Sequence, residues 1–403
     1  MAANADSSGR ERPRSILAHT NLHVIFAVTL MVVMGVSSVA PAFPRIKSAL
    51  GLTAMEVGWL VTAFTLPGVF LTPVFGVAAD RWGRKAVLVP SLVVFGVFGA
   101  ACGLVDGFAS LLALRFLQGV GAAPLGALNA TLIGDLYQGR ERTAAMGYNA
   151  GVLSLGTTIY PALGGALAGL GWHWPFLLPV VALPLALWVG LVLDAPRPER
   201  RTGFRDYVAG IVRLVLAPGA LGLFALTAVT FLILYGLAIT YLPLFLYERF
   251  GASPTVIGTI IATASLTTAL MASLLGRIAR VLPLRVVVTA GFGLYAASAL
   301  ALPLCPSVWW TIGPVLLFGM GQGLNIPSVQ TLLTARAPME SRAAFMAVNG
   351  MVLRLGQTVG PMAMGLAWAW RGMDGVVWAS AGLAVAMMVL AWFCACRDGE
   401  GGS

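Results

Sequence analysis

The sequence predicts an all-α integral membrane protein whose twelve transmembrane helices form two six-helix halves related as parallel repeats. Three observations carry that expectation: the balance of apolar to charged residues, the number of long apolar runs, and a self-similarity at an offset of 200 residues. Of the 403 residues, 59% are apolar and 10% charged, with 25 Lys+Arg against 15 Asp+Glu. A soluble domain carries about a quarter charged residues and under half apolar. At about 20 apolar residues per crossing, this content suffices for roughly twelve spans. The same figures exclude a disordered chain and a small disulfide scaffold, and unbroken apolar runs exclude a membrane β-barrel, whose strands alternate.

The runs, each bounded by charge, Pro or Gly, cover about 22–43, 57–79, 86–105, 107–134, 143–171, 174–193, 218–247, 255–276, 284–305, 307–335, 343–370 and 373–396. Arg10, Arg12 and Arg14 precede the first run as they would a signal peptide, but the run is too long for a signal core and eleven more follow. It is therefore expected to stay as an uncleaved first helix. Between the sixth and seventh runs lies the longest polar stretch, rich in arginine from Arg197 to Arg213. This divides the chain into a first half at 1–193, a cytoplasmic linker at 194–217, and a second half at 218–403.

Basic residues set the orientation. The tails and the gaps after even-numbered runs hold 19 Lys/Arg, and the gaps after odd-numbered runs hold four: Arg45, Lys47, Arg249 and Arg371. By the positive-inside rule both termini are cytoplasmic and the protein is a multi-pass component of the cell (inner) membrane. The net charge of +10 therefore reports topology and not a nucleic-acid partner. Arg115 and Arg354 fall within runs.

The repeat is densest from Arg142 to Pro161 against Arg342 to Pro361, where ten of twenty positions are identical, including Asn149/Asn349, Gly156/Gly356 and Thr158/Thr358. The same offset pairs Gly51 with Gly251, Gly58 with Gly258, Gly76 with Gly276, Gly119 with Gly319 and Gly121 with Gly321. An even number of helices per half makes the repeats parallel, an architecture used by secondary transporters with a midplane site between rocking halves.

Three motifs lie in the first half. After run 2 comes Gly76-Val-Ala-Ala-Asp80-Arg81-Trp82-Gly83-Arg84-Lys85; run 4 contains Arg115-Phe-Leu-Gln118-Gly119-Val-Gly121; run 5 carries Gly147, Gly156, Tyr160-Pro161 and Gly164-Gly165. A charge about seven residues into a span is about 10 Å deep, which makes function the default reading of Arg115. Together these motifs resemble those of the major facilitator superfamily, and the third resembles the signature of its 12-helix drug:proton antiporter branch. Tyr160 stands where that signature has Gly.

The resemblance implies a major facilitator fold and a secondary transporter working by alternating access. In that family the first motif latches the two halves on the cytoplasmic side in the outward-open state. Asp80 would hold the far half near helix 11, supported by Gly76, Arg81, Gly83, Arg84 and Lys85. The second motif, Arg115, Gln118, Gly119 and Gly121, is associated there with proton coupling. The third implies export.

No Asp or Glu lies well inside any run. Glu56 and Asp135 stand at run ends, and His19 and His23 at the cytoplasmic edge of run 1, so no residue is assigned to the coupling ion. Candidate substrate contacts are Asn129, Tyr235, Gln322, Asn325, Arg354 and Gln357. Gln357 shares a helix face with Arg354. A buried arginine without a partner demands an anion, so Arg354 is expected to meet an anionic or zwitterionic group of the substrate. The four cysteines, Cys102, Cys305, Cys394 and Cys396, form neither a disulfide framework nor a metal set. Neither a cofactor nor a metal is expected. The leading expectation is a proton-driven exporter of small amphipathic organic compounds, active as a monomer in the lipid bilayer. The alternative on the same fold is an importer or facilitator of a small organic anion or metabolite. An enzyme is not expected, since the three histidines are dispersed and no gap is long enough for a catalytic domain.

Overall fold

The computed structural model describes residues 16–194, 220–336 and 342–396, and among these every regular element is helical. The expected linker at 194–217 lies, apart from Asp194, outside the described residues. Ten stretches are long and apolar enough to cross a membrane. These give α1 (Thr20–Leu50), α2 (Ala54–Trp82), α3 (Arg84–Leu104), α4 (Phe108–Leu136), α5 (Gly139–Leu170), α6 (Trp174–Val192), α7 (Ala220–Phe250), α8 (Pro254–Val281) and α9 (Leu284–Leu304). The tenth, Phe345–Phe393, is two passes: the helical stretch Arg342–Cys396 breaks at Arg371 and Gly372, giving α11 (342–370) and α12 (373–396). Between them in order stands α10 (Ile312–Arg336), in which Gln322, Asn325 and Gln330 lower the hydropathy. The result is the expected twelve-helix architecture.

Run 1 was expected to stop at about 43, at its second proline. Instead a 3₁₀ turn at Ala40–Ala42 carries the chain past Pro41, and an α-helix resumes over Phe43–Leu50 with Pro44 in its first turn, where a missing N–H costs nothing. Position 200 residues on is irregular in the opposite sense: Leu234–Tyr241 winds as a π-helix, with Thr240 Oγ1 donating to Tyr235 O at 2.7 Å.

The repeat is visible in contacts as well as in sequence. Gly51 and Gly251 both end their helices at φ 63°. Thr53 and Ser253 then cap α2 and α8 with side-chain oxygens that accept from Glu56 N and Val256 N, each satisfying an orphan helix donor. A Cβ on Gly119 would lie 2.2 Å from Phe64 O, and one on Gly319 would lie 2.3 Å from Ala264 O; on Gly121 and Gly321 the distance to Ser91 O and Gly291 O would be 2.7 Å. Every partner is also displaced by 200. The glycines recur because each half needs the same helices in backbone contact, α4 on α2 and α3, then α10 on α8 and α9. Within a bilayer, such close packing is a main source of helix association.

The halves meet along α2 with α11 and α5 with α8. At the far end, remote from the start of α1, a Cβ on Gly258 would lie 2.2 Å from Pro161 O and one on Gly165 2.4 Å from Pro254 O. Arg45 Nη1 donates to Ala168 O at 2.7 Å and Gly169 O at 3.0 Å, and Lys47 pairs with Glu248. At the near end, where α1 starts and α12 finishes, a Cβ added at Gly76, Gly147, Gly151, Gly276 or Gly350 would meet no other helix within 4 Å. The close approaches described between the halves lie at the far end and at mid-height.

Candidate functional site

Arg354 on α11 is the side chain that bridges the halves at mid-height. Its Cδ lies against Gly68, the middle residue of α2, where a Cβ would be 2.6 Å away. Its Nη2 donates to Ala123 O of α4 at 3.3 Å. The same carbonyl accepts from Thr72 Oγ1 of α2 at 3.1 Å. One turn towards the far end, a threonine ladder ties α2 to α11: Thr62 Oγ1 donates to Thr358 O at 3.0 Å, Thr358 Oγ1 donates to Thr65 Oγ1 at 3.0 Å, and Thr358 Oγ1 lies 2.9 Å from Arg354 O. All three threonines are buried.

Around the guanidinium, Tyr235 of α7 is within electrostatic reach, and Gln357 is buried one turn along α11. Gly126 of α4 leaves space facing it: a Cβ there would meet nothing nearer than Val32 Cγ1 at 3.8 Å and Arg354 Nη2 at 3.9 Å. Among the described residues, none of the four ion pairs includes Arg354. Of the sequence candidates, Arg354, Tyr235 and Gln357 thus share one neighbourhood.

The others take their contacts within a single half. Asn129 Nδ2 donates to Thr29 Oγ1, which donates to Asn149 Oδ1, pinning α4, α1 and α5. Gln322 Oε1 accepts from Thr268 Oγ1 of α8 at 3.3 Å. Asn325 is fully buried beside Gly291 of α9. The bridging threonines Thr62, Thr65 and Thr358 were not among the sequence candidates. The signal for Thr358 was present in the repeat, as the match to Thr158, but Thr62 and Thr65 read as ordinary small residues of an apolar run.

The Gly76–Lys85 segment folds onto its own half. Gly83, at φ 96°, makes the turn between α2 and α3. Arg84, only 8% exposed, pairs with Asp80 and, through Nε at 3.1 Å, with Asp135 at the end of α4. Lys85 Nζ donates to Leu193 O at the end of α6. Asp80 thus holds Arg84 here and makes no described contact with the second half.

Arg115, 1% exposed, is enclosed within the first half. Its Nη1 donates to Gly35 O and Gln118 Oε1, both at 2.8 Å, its Nε to Leu60 O at 3.4 Å, and its guanidinium lies 4.4 Å from the Phe64 ring centroid. It ties α1, α2 and α4 together with neutral acceptors and a ring face. In α5, Tyr160 is buried and its ring leans towards Gly156, while Gly164 lies directly on Ser38 O of α1, 1.8 Å from a hypothetical Cβ.

A family description, that of the Major Facilitator Superfamily, matches residues 25–251 and again 223–400. The chain belongs to the Major Facilitator Superfamily. It is accordingly a multi-pass membrane transporter, not an enzyme. Among its relatives are the multidrug transporter protein MdtP of Bacillus subtilis (strain 168), 24% identical over 387 residues that cover 81% of this chain and 71% of the relative, and the bacillibactin exporter of the same organism, 24% identical over 360 residues covering 85% and 88%. Among solved structures, the transporter is similar to a bacterial homolog of the human lysosomal transporter Spinster in an inward-facing, unoccupied conformation, with a TM-score of 0.78 at 18% identity, covering 95% of this chain and 98% of that one. It is also similar to the human organic anion transporter MFSD10, with a TM-score of 0.69 at 19% identity, covering 92% and 98%. At these identities the structures establish the fold.

Proposed function

We propose that the transporter exports small amphipathic organic compounds across the cell (inner) membrane by alternating access, with both termini cytoplasmic and proton antiport as the driving reaction. The observation that carries this reading is the one-sided contact between halves. The close approaches within the α2/α11 and α5/α8 pairs lie at the far end and at mid-height, while a Cβ at their near-end glycines Gly76, Gly147, Gly276 and Gly350 would meet no other helix, and Arg354 stands between the halves at mid-height. With the near end cytoplasmic, the orientation that the distribution of basic residues supports, this arrangement suits loading for export. The exporters among its relatives support the direction. The reading divides the chain into halves at 1–193 and 218–403, and makes Asp80 the group that latches the near end when it closes.

The test is a susceptibility and dye-efflux panel in an exporter-deficient host, comparing the wild-type protein with Asp80→Asn. Broadened resistance that the variant loses, abolished by dissipating the proton gradient, is the expected result. Gradient-independent accumulation in everted vesicles would instead favour a facilitator of organic anions, the second reading, which rests on Arg354, a cation for which no ion pair is described.

A further inference from the structure

Three features of the Arg354 site bear on what it binds and what binding does. Arg354 carries five N–H donors in a planar fork suited to a carboxylate, and a single hydrogen bond, to Ala123 O, is described for it. No described acid pairs with it, and Tyr235, Gln357 and the Ala123 carbonyl supply neutral polar surroundings. Beside Nη2, Gly126 leaves room bounded by Val32. The repeat gives a further contrast: 200 residues earlier the chain has Ser154, so the charge belongs to one half alone and is not part of the duplicated scaffold.

The bond to Ala123 also joins α11 of the second half to α4 of the first, on a carbonyl already held to α2 by Thr72. A swing that shifts α11 relative to α4 breaks this bond, so the bond opposes such a swing while the site is empty. A ligand oxyanion competes with the carbonyl for the same fork, and a charge-assisted pair is stronger than a bond to a neutral carbonyl.

We propose that Arg354 binds the carboxylate, or another compact oxyanion, of the transported compound, and that this binding releases the Arg354–Ala123 tie so that loading itself allows the near end to close. The inference rests on the transporter reading above and narrows its substrates to amphipathic anions and zwitterions. The anchor occupies the space at Gly126, and the apolar remainder lies against Val32 and Tyr235. Once the compound leaves at the far side, the fork is free to remake the tie.

The test uses the full chain, purified, with its four native cysteines replaced by alanine and a reporter cysteine at Gly147, a near-end position with no neighbour within 4 Å. Benzoate, salicylate and 1-naphthoate are compared with their neutral amides. At least one carboxylate is expected to slow maleimide labelling of the reporter threefold or more and to raise the unfolding temperature, its amide doing neither. Arg354→Gln abolishes both responses and Arg354→Lys retains them in part. Gly126→Val, which fills the space beside Nη2 and leaves the arginine in place, abolishes them as well, so the test stands even where Arg354→Gln folds poorly. No response to any carboxylate, an equal response to the amide, or a response that survives in Arg354→Gln and Gly126→Val overturns the proposal. Ethidium efflux from cells is measured alongside. Efflux that persists without a carboxylate response leaves the exporter reading standing and sinks this one; a carboxylate response without efflux of any compound does the reverse.

Discussion

Lys47 and Glu248 form an ion pair across the two halves at the far end. Both stand just after the first helix of a half has turned its irregular corner, at positions 201 apart. The duplicated segment thus meets its own copy one residue out of the 200-residue register, Lys47 matching Tyr247 and Glu248 matching Ser48.

Reversing one of these charges is expected to weaken closure of the far end, and reversing both to restore it. The Glu248 side chain is 39% exposed, so solvent screens the pair and its worth is about 0.2 to 1 kcal/mol. Lys47→Glu or Glu248→Lys should lower transport by about two- to fivefold, with recovery in the double variant. Transport rates of the three proteins in one vesicle preparation check this.

The ion cluster at the near end separates stability from function. Arg84→Ala leaves Asp80 and Asp135 facing each other across an emptied site and is expected to destabilise the protein by about 1 to 2 kcal/mol, the partial exposure of both acids limiting the cost. Arg81, which has no described ion pair, should tolerate Ala within about 0.5 kcal/mol. Thermal unfolding of the purified variants distinguishes the two. A loss of transport in Arg81→Ala with unchanged unfolding would mark a role in the state with the near end closed.

Backbone contact between α5 and α8 makes Gly258 intolerant of a side chain. A methyl there would sit 2.2 Å from Pro161 O, and neither backbone can yield without separating the helices. Gly258→Ala is expected to cost about 1 to 3 kcal/mol and to remove most transport. Gly147→Ala, in the same helix pair but with open space around it, should leave both within error. Unfolding temperature and efflux rate, measured side by side, give the comparison.

For Arg115, shape matters as much as charge. Lysine keeps the charge, yet it cannot reach Gly35 O and Gln118 Oε1 together or lie flat over Phe64. Arg115→Lys is therefore expected to destabilise by about 2 to 3 kcal/mol, with a loss of folded protein on heating as the readout. Wild-type stability in this variant would contradict the assigned contacts.

Much of this architecture was legible from sequence, for reasons that differ by level. Span number followed from hydropathy, and the repeat from glycines and prolines whose identity is forced by backbone contact, as Gly119 and Gly319 show. The capping box of α2, Thr53 with Glu56, is local, yet Glu56 was expected only to stand at a run end. The irregular turn past Pro41 was not legible: a proline reads as a stop, and whether the helix resumes depends on what it packs against afterwards. Site composition was legible in part. Arg354 and Tyr235 came together, with Gln357 one turn along the same helix, whereas the contacts described for Asn129, Gln322 and Asn325 lie inside one half. A run of twenty apolar residues conceals which face looks towards which neighbour. A polar residue in such a run announces only that some partner exists.

The opposite irregularities of α1 and α7 leave a mark on the space between the halves. A 3₁₀ turn lengthens and overwinds α1 at Ala40–Ala42, while the π segment shortens and unwinds α7 over Leu234–Tyr241. At those points the two copies differ in rise and winding, so the duplication that built the shell is inexact in this part of its lining. A guest turned end for end meets a different wall.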